Sequence, residues 1–416
     1  MKNLPVRRTK ALVDLDALAS NLRALKQHGA GTDMVLAVKA DAYGHGRIPV
    51  ARRAIAEGVA MLAVANAQEF AALRGAGIHH PVIILEDLFP EETASLVADP
   101  QLRFNVSELP YARRLSDSAV AAGVRVLVHV NLDTGMGRMG LLTEDPVSAV
   151  QQIADLPGLE VEGVFSHFPD ADDEDLTLAR AQLEAFEQIV SDLDAAGVRV
   201  RYRHMANSAA IMMFGRKASF DLLRPGVSAY GMYPSTPVAE KMKDSLSLTP
   251  CLKLVSSIVK LTTYDREWTV GYGRSYKVGP GSRIAVVPIG YGDGYRRALS
   301  NQGTAVVHGM RVPVCGRVSM DMITLDLTDL PEEPQVGDEV VLLGRQSWPE
   351  DTPDAPPEDT LEGATRERAT AKAPRRGTRA AAVYAEEMAE QIGTISYEVT
   401  CGFTPRVPRV YRGRRS

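Results

Sequence analysis

The sequence predicts a (β/α)8 barrel followed by a smaller all-β domain, and three observations support this fold class. Eight short apolar runs lie between residues 34 and 224. Their average spacing is about 27 residues, which is the length of a strand–helix unit. Helix start signals separate the runs, and this alternation favours parallel strands closed into a barrel. After residue 245, apolar runs punctuated by glycine and proline continue with little helical pattern, as is typical of a β domain.

The predicted barrel strands share a short, dense apolar composition. They cover residues 34–38, 61–65, 82–85, 102–106, 124–130, 161–166, 198–204 and 222–224. Between them, Asp16 is expected to cap a helix over residues 17–28, and Ser107 to cap the helix that contains Tyr111. Asn66 followed by Glu69 has the spacing of a capping box.

The domain boundaries follow from the change of pattern. We expect residues 1–244 to form the barrel and 245–416 the β domain, with residues 1–15 as candidates for the β domain. Its candidate strands cover residues 252–262, 283–288, 304–307, 312–315, 322–326 and 339–343. Residues 349–384 are rich in proline, acidic in their first half and basic in their second, so we expect a disordered surface insertion. A helix over residues 385–392 and a strand through Tyr397 are expected after it.

Composition excludes several classes of protein. The net charge of −5 gives no basic footprint for nucleic acid. No apolar run approaches the roughly 18 residues of a membrane span, and residues 1–10 lack the apolar core of a secretory signal. The three cysteines are far apart in sequence, which fits a reducing cytoplasm rather than a disulfide framework. No histidine or cysteine spacing predicts a metal site.

The predicted barrel indicates candidate site residues even without a motif, because active sites of such barrels lie at the C-terminal ends of the strands. The polar residues at those ends are Lys39, Arg138, His167, His204, Ser208 and Arg224. We therefore expect these cations, histidines and serine to lie close together at the C-terminal opening of the barrel.

Two of these positions admit alternatives. Lys39 ends an apolar strand, where burial near other cations favours the neutral amine that forms Schiff bases; alternatively, it extends out of the barrel mouth. Residues 135–140 (GMGRMG) fit a dinucleotide-binding pattern, but Pro146 delays any helix. A tight loop that presents Arg138 is the favoured interpretation.

A set of motifs resembles the alanine racemase family of pyridoxal-phosphate (PLP) enzymes. The motifs occur in the family's order, at close to its spacing, and cover nearly the whole chain except residues 349–384. They are AVKADAYGHG (37–46), LDTGMGR (132–138), HMANSAA (204–210), RPG (224–226), GYGRSY (271–276), PIGYGDGY (288–295), GRVSMD (316–321) and ISYEV (395–399).

The resemblance implies a PLP-binding barrel, a C-terminal β domain and a head-to-tail homodimer with shared active sites. Lys39 would carry PLP as a Schiff base, Arg138 would lie by its phenolic oxygen, and Arg224 would face its ring nitrogen. The phosphate would be held by Tyr43, Ser208, Gly226, Val227 and Tyr397. Arginine can only donate hydrogen bonds, so the ring nitrogen would stay unprotonated. A weaker electron sink would then discourage transamination and decarboxylation.

Racemisation needs one base on each face of a planar Cα, and the resemblance assigns both. Lys39 would serve the D-enantiomer, and Tyr272 of the partner subunit the L-enantiomer. Tyrosine is ordinarily a poor base at neutral pH, so a relay from Arg224 through His167 would have to assist it. Met320 of the partner subunit would bind the substrate carboxylate together with Arg138. Tyr291 would line the entry corridor.

The leading functional prediction is interconversion of L- and D-alanine in the cytoplasm, supplying D-alanine for peptidoglycan. One alternative is a racemase of broader specificity toward serine or lysine. Another is a PLP decarboxylase, which would prefer a carboxylate where Arg224 stands. A non-catalytic PLP carrier would resemble the barrel alone, and a nicotinamide dehydrogenase rests only on residues 135–140.

The sequence departs from the family pattern at two single positions. Asn131 stands where many members have a carbamylated lysine that orients the arginine corresponding to Arg138. Asparagine forms no carbamate, so we expect an anion such as chloride to take that role. Ser319 replaces a common cysteine, and we expect little effect. The insertion at residues 349–384 lengthens the chain just before Tyr397.

Overall fold

The computed structural model describes residues 7–349 and 378–413, which divide into two compact units. The barrel unit comprises residues 18–42 and 46–248. The β unit comprises residues 7–17, 43–45, 249–349 and 378–413. Among these described residues, none of the helices combines the length and the apolar composition that crossing a membrane requires.

The chain enters through strand β1 (Lys10–Asp14) and helix α1 (Leu15–His28). The carboxylate of Asp14 accepts hydrogen bonds from the N–H groups of Asp16 and Ala17, each at 2.9 Å. The prediction that Asp16 caps this helix is therefore wrong. Asp14 occupies the last position of the strand and takes the cap, so the helix begins two residues earlier than expected.

The predicted barrel is confirmed, since each of the eight predicted runs contains or overlaps a parallel strand. The strands are β2 (Asp33–Ala37), β3 (Met61–Val64), β4 (Val82–Ile84), β5 (Leu102–Val106), β6 (Val126–Asn131), β7 (Leu159–Phe165), β8 (Tyr202–His204) and β9 (Leu222–Leu223). Most of these residues are buried, which explains why the strands read as apolar runs rather than as alternating patterns.

The barrel is nearly closed. Strands β2 to β8 pair in sequence order, and β9 pairs with β2. Between β8 and β9, Asp221 N–H donates to the carbonyl of Arg203 at 3.0 Å, and Arg224 N–H donates to that of Ala206 at 2.9 Å. These two bonds link the chain around β8 and β9 and hold Arg224 at the C-terminal edge of the barrel.

The helices of the barrel unit follow its strands. They are α2 (Lys39–Tyr43, whose last residue belongs to the β unit), α3 (Arg47–Ala56), α4 (Ala67–Gly75), α5 (Pro90–Leu96), α6 (Leu109–Ala122), α7 (Pro146–Ala154), α8 (Thr177–Ala195), α9 (Ser208–Phe214) and α10 (Thr236–Met242). Asn66 caps α4 by accepting from Glu69 N–H at 3.0 Å, but the predicted capping box is only half formed, because the Glu69 carboxylate accepts from Ala65 N–H rather than from Asn66 N–H. Ser107 does not cap α6, because its hydroxyl donates to Asp87 instead.

The β unit is built from short strands. They are β10 (Leu252–Ser257), β11 (Lys260–Thr263), β12 (Trp268–Val270), β13 (Tyr276–Val278), β14 (Arg283–Val287), β15 (Thr304–Val307), β16 (Met310–Pro313), β17 (Ile323–Asp326), β18 (Glu339–Pro349), β19 (Thr378–Val383) and β20 (Arg409–Arg412). The largest sheet has the order β16-β15-β18-β10-β1-β20, with β19 paired to β18. Strand β1 runs antiparallel to β10 and parallel to β20.

The C-terminal part of the β unit differs from expectation at two places. Helix α11 (Ala385–Ile392) has the predicted bounds, but Tyr397 lies in helix α12 (Ser396–Cys401), so the predicted strand there is wrong. The apolar side chains of Ile395, Tyr397 and Val399 alternate as in a strand, yet the carbonyl of Ile395 accepts the helical N–H of Val399. Strand β19 also occupies 378–383 of the predicted insertion. Residues 350–377 of that insertion lie outside the described residues.

Candidate active site

Lys39 follows the first barrel strand and opens a turn of unusual handedness. Ala40, Asp41 and Ala42 have φ angles of 51°, 53° and 55°, and Tyr43 has 54°. For residues other than glycine, this left-handed conformation costs about 1–2 kcal/mol each. The turn directly after Lys39 therefore requires support from its surroundings.

Glu69 supplies that support from helix α4. One carboxylate oxygen accepts from Ala40 N–H and from Arg47, each at 2.7 Å, and the other accepts from Ala65 N–H at 2.9 Å. Arg47 N–H in turn donates to the Asp41 carboxylate at 2.8 Å. The turn after Lys39 is thus held by the Glu69–Arg47 ion pair and by hydrogen bonds from the backbone N–H groups of Ala40 and Arg47.

His167 lies two residues after the end of β7, and the charges of three cations act on its imidazole. Burial is the main influence on its imidazole, and the charges of Arg224, Arg138 and Lys39 act in the same direction. Together they hold the pKa of His167 well below its ordinary value. The imidazole is therefore neutral at pH 7, and the three predicted cations are brought to one place within the barrel unit.

Arg224 is buried and donates hydrogen bonds into the barrel. One terminal nitrogen donates to the carbonyl of Ser166 at 2.5 Å and to Nδ1 of His167 at 3.1 Å, and the other donates to Nδ1 of His204 at 2.7 Å. Burial, with a smaller effect of the Arg138 charge, lowers the pKa of Arg224 to about 9. The guanidinium is still cationic at pH 7.

The loop that carries Arg138 is shaped by one aspartate. The Asp133 carboxylate accepts from the N–H groups of Gly135 and Met136, both at 2.8 Å, and from that of Gly137 at 2.9 Å. Gly135 and Gly137 have φ angles of 138° and 64°, which glycine adopts without a steric penalty. The glycines therefore allow a tight loop around Arg138, which agrees with the interpretation favoured above over a dinucleotide-binding loop.

Ser208 opens helix α9 beside the loop that follows β9. Its hydroxyl oxygen accepts from Gly226 N–H at 2.9 Å and from the Ser228 hydroxyl at 2.9 Å. Val227 begins a short 3₁₀ helix, Val227–Tyr230. With its oxygen occupied as an acceptor, the Ser208 hydroxyl keeps its own proton to donate.

Two predicted phosphate ligands lie together in the β unit. The rings of Tyr43 and Tyr397 have centroids 6.0 Å apart. Burial, and to a lesser degree the neighbouring Cys401, raises the pKa of Tyr43 above its ordinary range, so its hydroxyl remains a donor. Gly44 has a φ of 81°, and a Cβ there would lie 2.1 Å from the carbonyl oxygen of Thr400. Only glycine fits at this position.

The remaining predicted residues lie on exposed loops of the β unit. Tyr272 opens the 3₁₀ helix Tyr272–Arg274 and is 71% exposed; Met320 is 53% exposed. Tyr291 N–H donates to the carbonyl of Ser319 at 3.0 Å, and Gly292 N–H to that of Met320 at 2.9 Å. Backbone hydrogen bonds thus join the loops of Tyr291 and Met320.

Comparison with known proteins identifies the family. The family model "Alanine racemase, N-terminal domain" matches residues 13–234, and "Alanine racemase, C-terminal domain" matches residues 251–358. The chain belongs to the alanine racemase family. It is an enzyme of the isomerase class, and the resemblance drawn from the motifs is confirmed.

Alanine racemases of known sequence and structure are similar over nearly their whole length. "Alanine racemase 1" of Clostridium acetobutylicum is 36% identical over 407 residues, covering 98% of this chain and 96% of the relative. The alanine racemase of Syntrophobacter fumaroxidans is 39% identical over 94% of this chain and 93% of its own. The Clostridium difficile structure has a TM-score of 0.84 at 31% identity, covering 100% and 98% of the two chains. The Bacillus anthracis structure, which has bound L-Ala-P, has 0.82 at 29%, covering 100% and 97%.

Reasoning from the sequence missed the residues behind the strand ends of this alanine racemase fold. The sequence pattern marks Glu69 only as the second residue of a capping box. Its carboxylate reaches the turn after Lys39 instead of the N–H of Asn66. His129 and Glu162 lie within the predicted apolar strands, and no motif marks them. A polar residue inside an otherwise apolar barrel strand is the signal that would have marked both.

Proposed function

We propose that this alanine racemase interconverts L-alanine and D-alanine with PLP by a two-base mechanism. The observation that carries the proposal is the set of charges acting on His167. Arg224 donates to the neutral imidazole, the charges of Arg138 and Lys39 also act on it, and no carboxylate of the described residues is among the groups that shift its pKa. Such a site suits a cofactor with a phosphate and a phenolic oxygen, both of which are anionic.

The side chains present fit PLP group by group. The Lys39 amine suits its aldehyde, and Arg138 its phenolic oxygen. In the proposal, the phosphate would accept from the Ser208 hydroxyl, from Val227 N–H and from the hydroxyls of Tyr43 and Tyr397. Gly226 N–H donates to the Ser208 oxygen, so in the proposal Gly226 orients that hydroxyl. The donor-only guanidinium of Arg224 suits an unprotonated ring nitrogen.

PLP, when bound, withdraws electrons from Cα of the amino acid and so makes its proton easier to remove. In the proposal, Nζ of Lys39 removes or returns this proton on one face, and the phenolic oxygen of Tyr272 of the partner subunit does so on the other. Arg224 donates to Nδ1 of His167, so the His167 proton lies on Nε2. That N–H is the donor that would stabilise the deprotonated phenol.

Substrate orientation falls to Arg138 and to the backbone N–H of Met320 of the partner subunit, which would hold the carboxylate. The proposal therefore needs a homodimer. The exposure of Tyr272 and Met320, and of Met322 and Trp268 in the same unit, supports it, because large apolar side chains left exposed suit burial by a partner. We place the enzyme in the cytoplasm, supplying D-alanine for peptidoglycan. The three cysteines lie far apart in the sequence, which is consistent with a reducing compartment.

The test is to incubate the purified protein with L-alanine, L-serine and L-lysine in turn and to quantify each D-enantiomer. Lys39→Ala and Tyr272→Phe serve as controls. We expect D-alanine to dominate and both variants to lose at least about a thousandfold in kcat, as is usual when an essential acid–base group is removed. Dominant D-serine or D-lysine would instead support broader specificity. PLP binding without any D-amino acid would refute the racemase proposal and favour decarboxylation or cofactor carriage.

A further inference from the structure

A continuous line of buried polar side chains runs from Arg224 through the barrel interior. Arg224 lies 2.7 Å from Nδ1 of His204, and Nε2 of His204 lies 2.7 Å from Nδ1 of His129. Nε2 of His129 lies 3.2 Å from the carboxylate of Glu162. Arg103 donates two hydrogen bonds, of 2.9 and 3.3 Å, to the same carboxylate. The line thus joins the mouth of the barrel to an ion pair deeper inside it.

The donors and acceptors along this line can be arranged in one way. Arg224 only donates, so Nδ1 of His204 accepts and its proton lies on Nε2. That proton is donated to Nδ1 of His129, whose own proton therefore lies on Nε2 and is donated to Glu162. Burial lowers the pKa of His129, and burial with the Arg224 charge lowers that of His204 further. Both rings are therefore neutral, and the tautomer of each is set by its neighbours.

Glu162 ends the line with a fixed negative charge. Burial acts to raise the pKa of its carboxyl, but the hydrogen bonds from His129 and Arg103 and the Arg103 charge outweigh burial and lower it to about 2. A carboxylate accepts and never donates, so it admits only the Nε2–H tautomer of His129. The same restriction then passes to His204.

The backbone is shaped to place Glu162 here. Val128 pairs with Val161 and His129 pairs with Gly163, so Glu162 is an additional residue on β7 and forms a β-bulge. Bulges redirect a side chain out of the regular alternation of a strand. At Gly163 a Cβ atom would lie 2.8 Å from Nδ1 of His129, so the histidine fits only because this residue is glycine. Two independent backbone features therefore serve this one contact.

We propose that Glu162 is a positioning residue which, through His129 and His204, fixes the direction in which Arg224 donates. If His204 carried its proton on Nδ1, two donors would face each other and Arg224 would turn away. The carboxylate excludes that state. The inference rests on the proposed function, since it matters for catalysis only if Arg224 faces the ring nitrogen of PLP.

The experiment compares three variants with the parent holoenzyme. Glu162→Gln removes the charge and lets an amide donate toward His129. Arg103→Gln/Glu162→Gln removes both charges of the buried ion pair, so no buried cation is left without its carboxylate to disturb folding. Arg201→Gln is the matched control, because Arg201 approaches the same carboxylate from the exposed side at 3.8 Å. The readouts are the ring ¹⁵N shifts of His129 and His204, the dissociation constant of PLP, its visible absorption band, and kcat and KM separately.

We expect the parent and Arg201→Gln to show one tautomer, protonated on Nε2, at both histidines. Both Glu162 variants should show mixed tautomers at His204, a shifted absorption band, PLP binding about tenfold weaker, and a fall in kcat larger than any change in KM, as when outer hydrogen-bond partners of a ligand are removed. Unchanged tautomers and PLP affinity in the double variant would overturn the proposal. If the parent bound no PLP, the proposed function would fail, while the ¹⁵N shifts would still decide whether Glu162 sets the tautomers.

Discussion

Asp87 shows how one buried carboxyl makes stability depend on pH. It accepts hydrogen bonds from the side chains of Asn105 and Ser107, both at 2.5 Å. Burial nevertheless raises the pKa of Asp87 to about 6, because loss of hydration outweighs these bonds. The folded state therefore holds this proton more tightly than the unfolded state. The resulting stabilisation is present below about pH 4 and is lost as the pH rises through about 6.

We expect Asp87→Asn to stabilise the protein at pH 8 and to have a clearly smaller effect at pH 4.5, where the folded-state carboxyl is protonated. An amide keeps an acceptor for Asn105 and places a donor against the rotatable hydroxyl of Ser107, with no charge to desolvate. The gain at pH 8 has an upper limit of about 3 kcal/mol, the equivalent of two pKa units. Urea unfolding at the two pH values measures it, with Asp117→Asn, at an exposed position of α6, as the control. An equal effect of Asp87→Asn at both pH values would contradict this account.

Asn131 leads to a second prediction at the scale of a single residue, a dependence of activity on chloride. It ends β6 and is buried, and a Cβ at Gly140 would lie 3.2 Å from its amide oxygen. The position is therefore close to the loop of Arg138. An asparagine carries no charge to balance that arginine, so we expect activity to rise with added chloride at constant ionic strength. Asn131→Lys, which can form a carbamate, should abolish the dependence. An identical response of both proteins to chloride would count against a bound anion.

At the scale of elements, the turn after Lys39 depends on tertiary contacts. Four consecutive residues, from Ala40 to Tyr43, have positive φ, and none of them is glycine. Local preference opposes this conformation, so the sequence AVKADAYGHG gives no physical reason to predict it. The motif did locate the lysine. The motif does not include Glu69. Its carboxylate stabilises the turn by accepting hydrogen bonds from Ala40 N–H, from Arg47 and from Ala65 N–H.

We expect Glu69→Gln to weaken PLP binding about tenfold or more without unfolding the barrel. The amide has one acceptor oxygen where the carboxylate has two, so an NH2 group meets a backbone N–H and the ion pair with Arg47 is lost. Losing one charge-assisted hydrogen bond of about 1.5–3 kcal/mol corresponds to at least a tenfold change. Titration of the apoprotein with PLP measures it, and Glu187→Gln on the exposed face of α8 is the control. Equal PLP affinities of the two variants would show that Glu69 does not hold the turn.

At the scale of the whole molecule, the sequence predicted the parts that depend on hydrophobic pattern. Eight buried strands read as apolar runs, and their number and spacing favoured the barrel that the structure has. Residues at strand ends were found because parallel topology alone brings them together. The bulge at Glu162 and the helix at Tyr397 could not be found in this way. A bulge is a change of register between two strands, and Tyr397 has strand-like alternation that tertiary packing overrides.

The proposed sharing of one active site by two subunits leads to a prediction for the assembled enzyme. Lys39→Ala and Tyr272→Phe would each inactivate a homodimer. In a mixed dimer, one site receives both altered residues and the other receives Lys39 from one subunit and Tyr272 from its partner, because a two-fold axis exchanges them. After equal amounts exchange subunits, half of the dimers are mixed and each has one intact site, so activity should return to about a quarter of the parent value. Native mass spectrometry of isotopically labelled subunits verifies the exchange. If mixed dimers form and activity stays absent, Tyr272 does not act across the interface, and each chain would have to carry both bases itself.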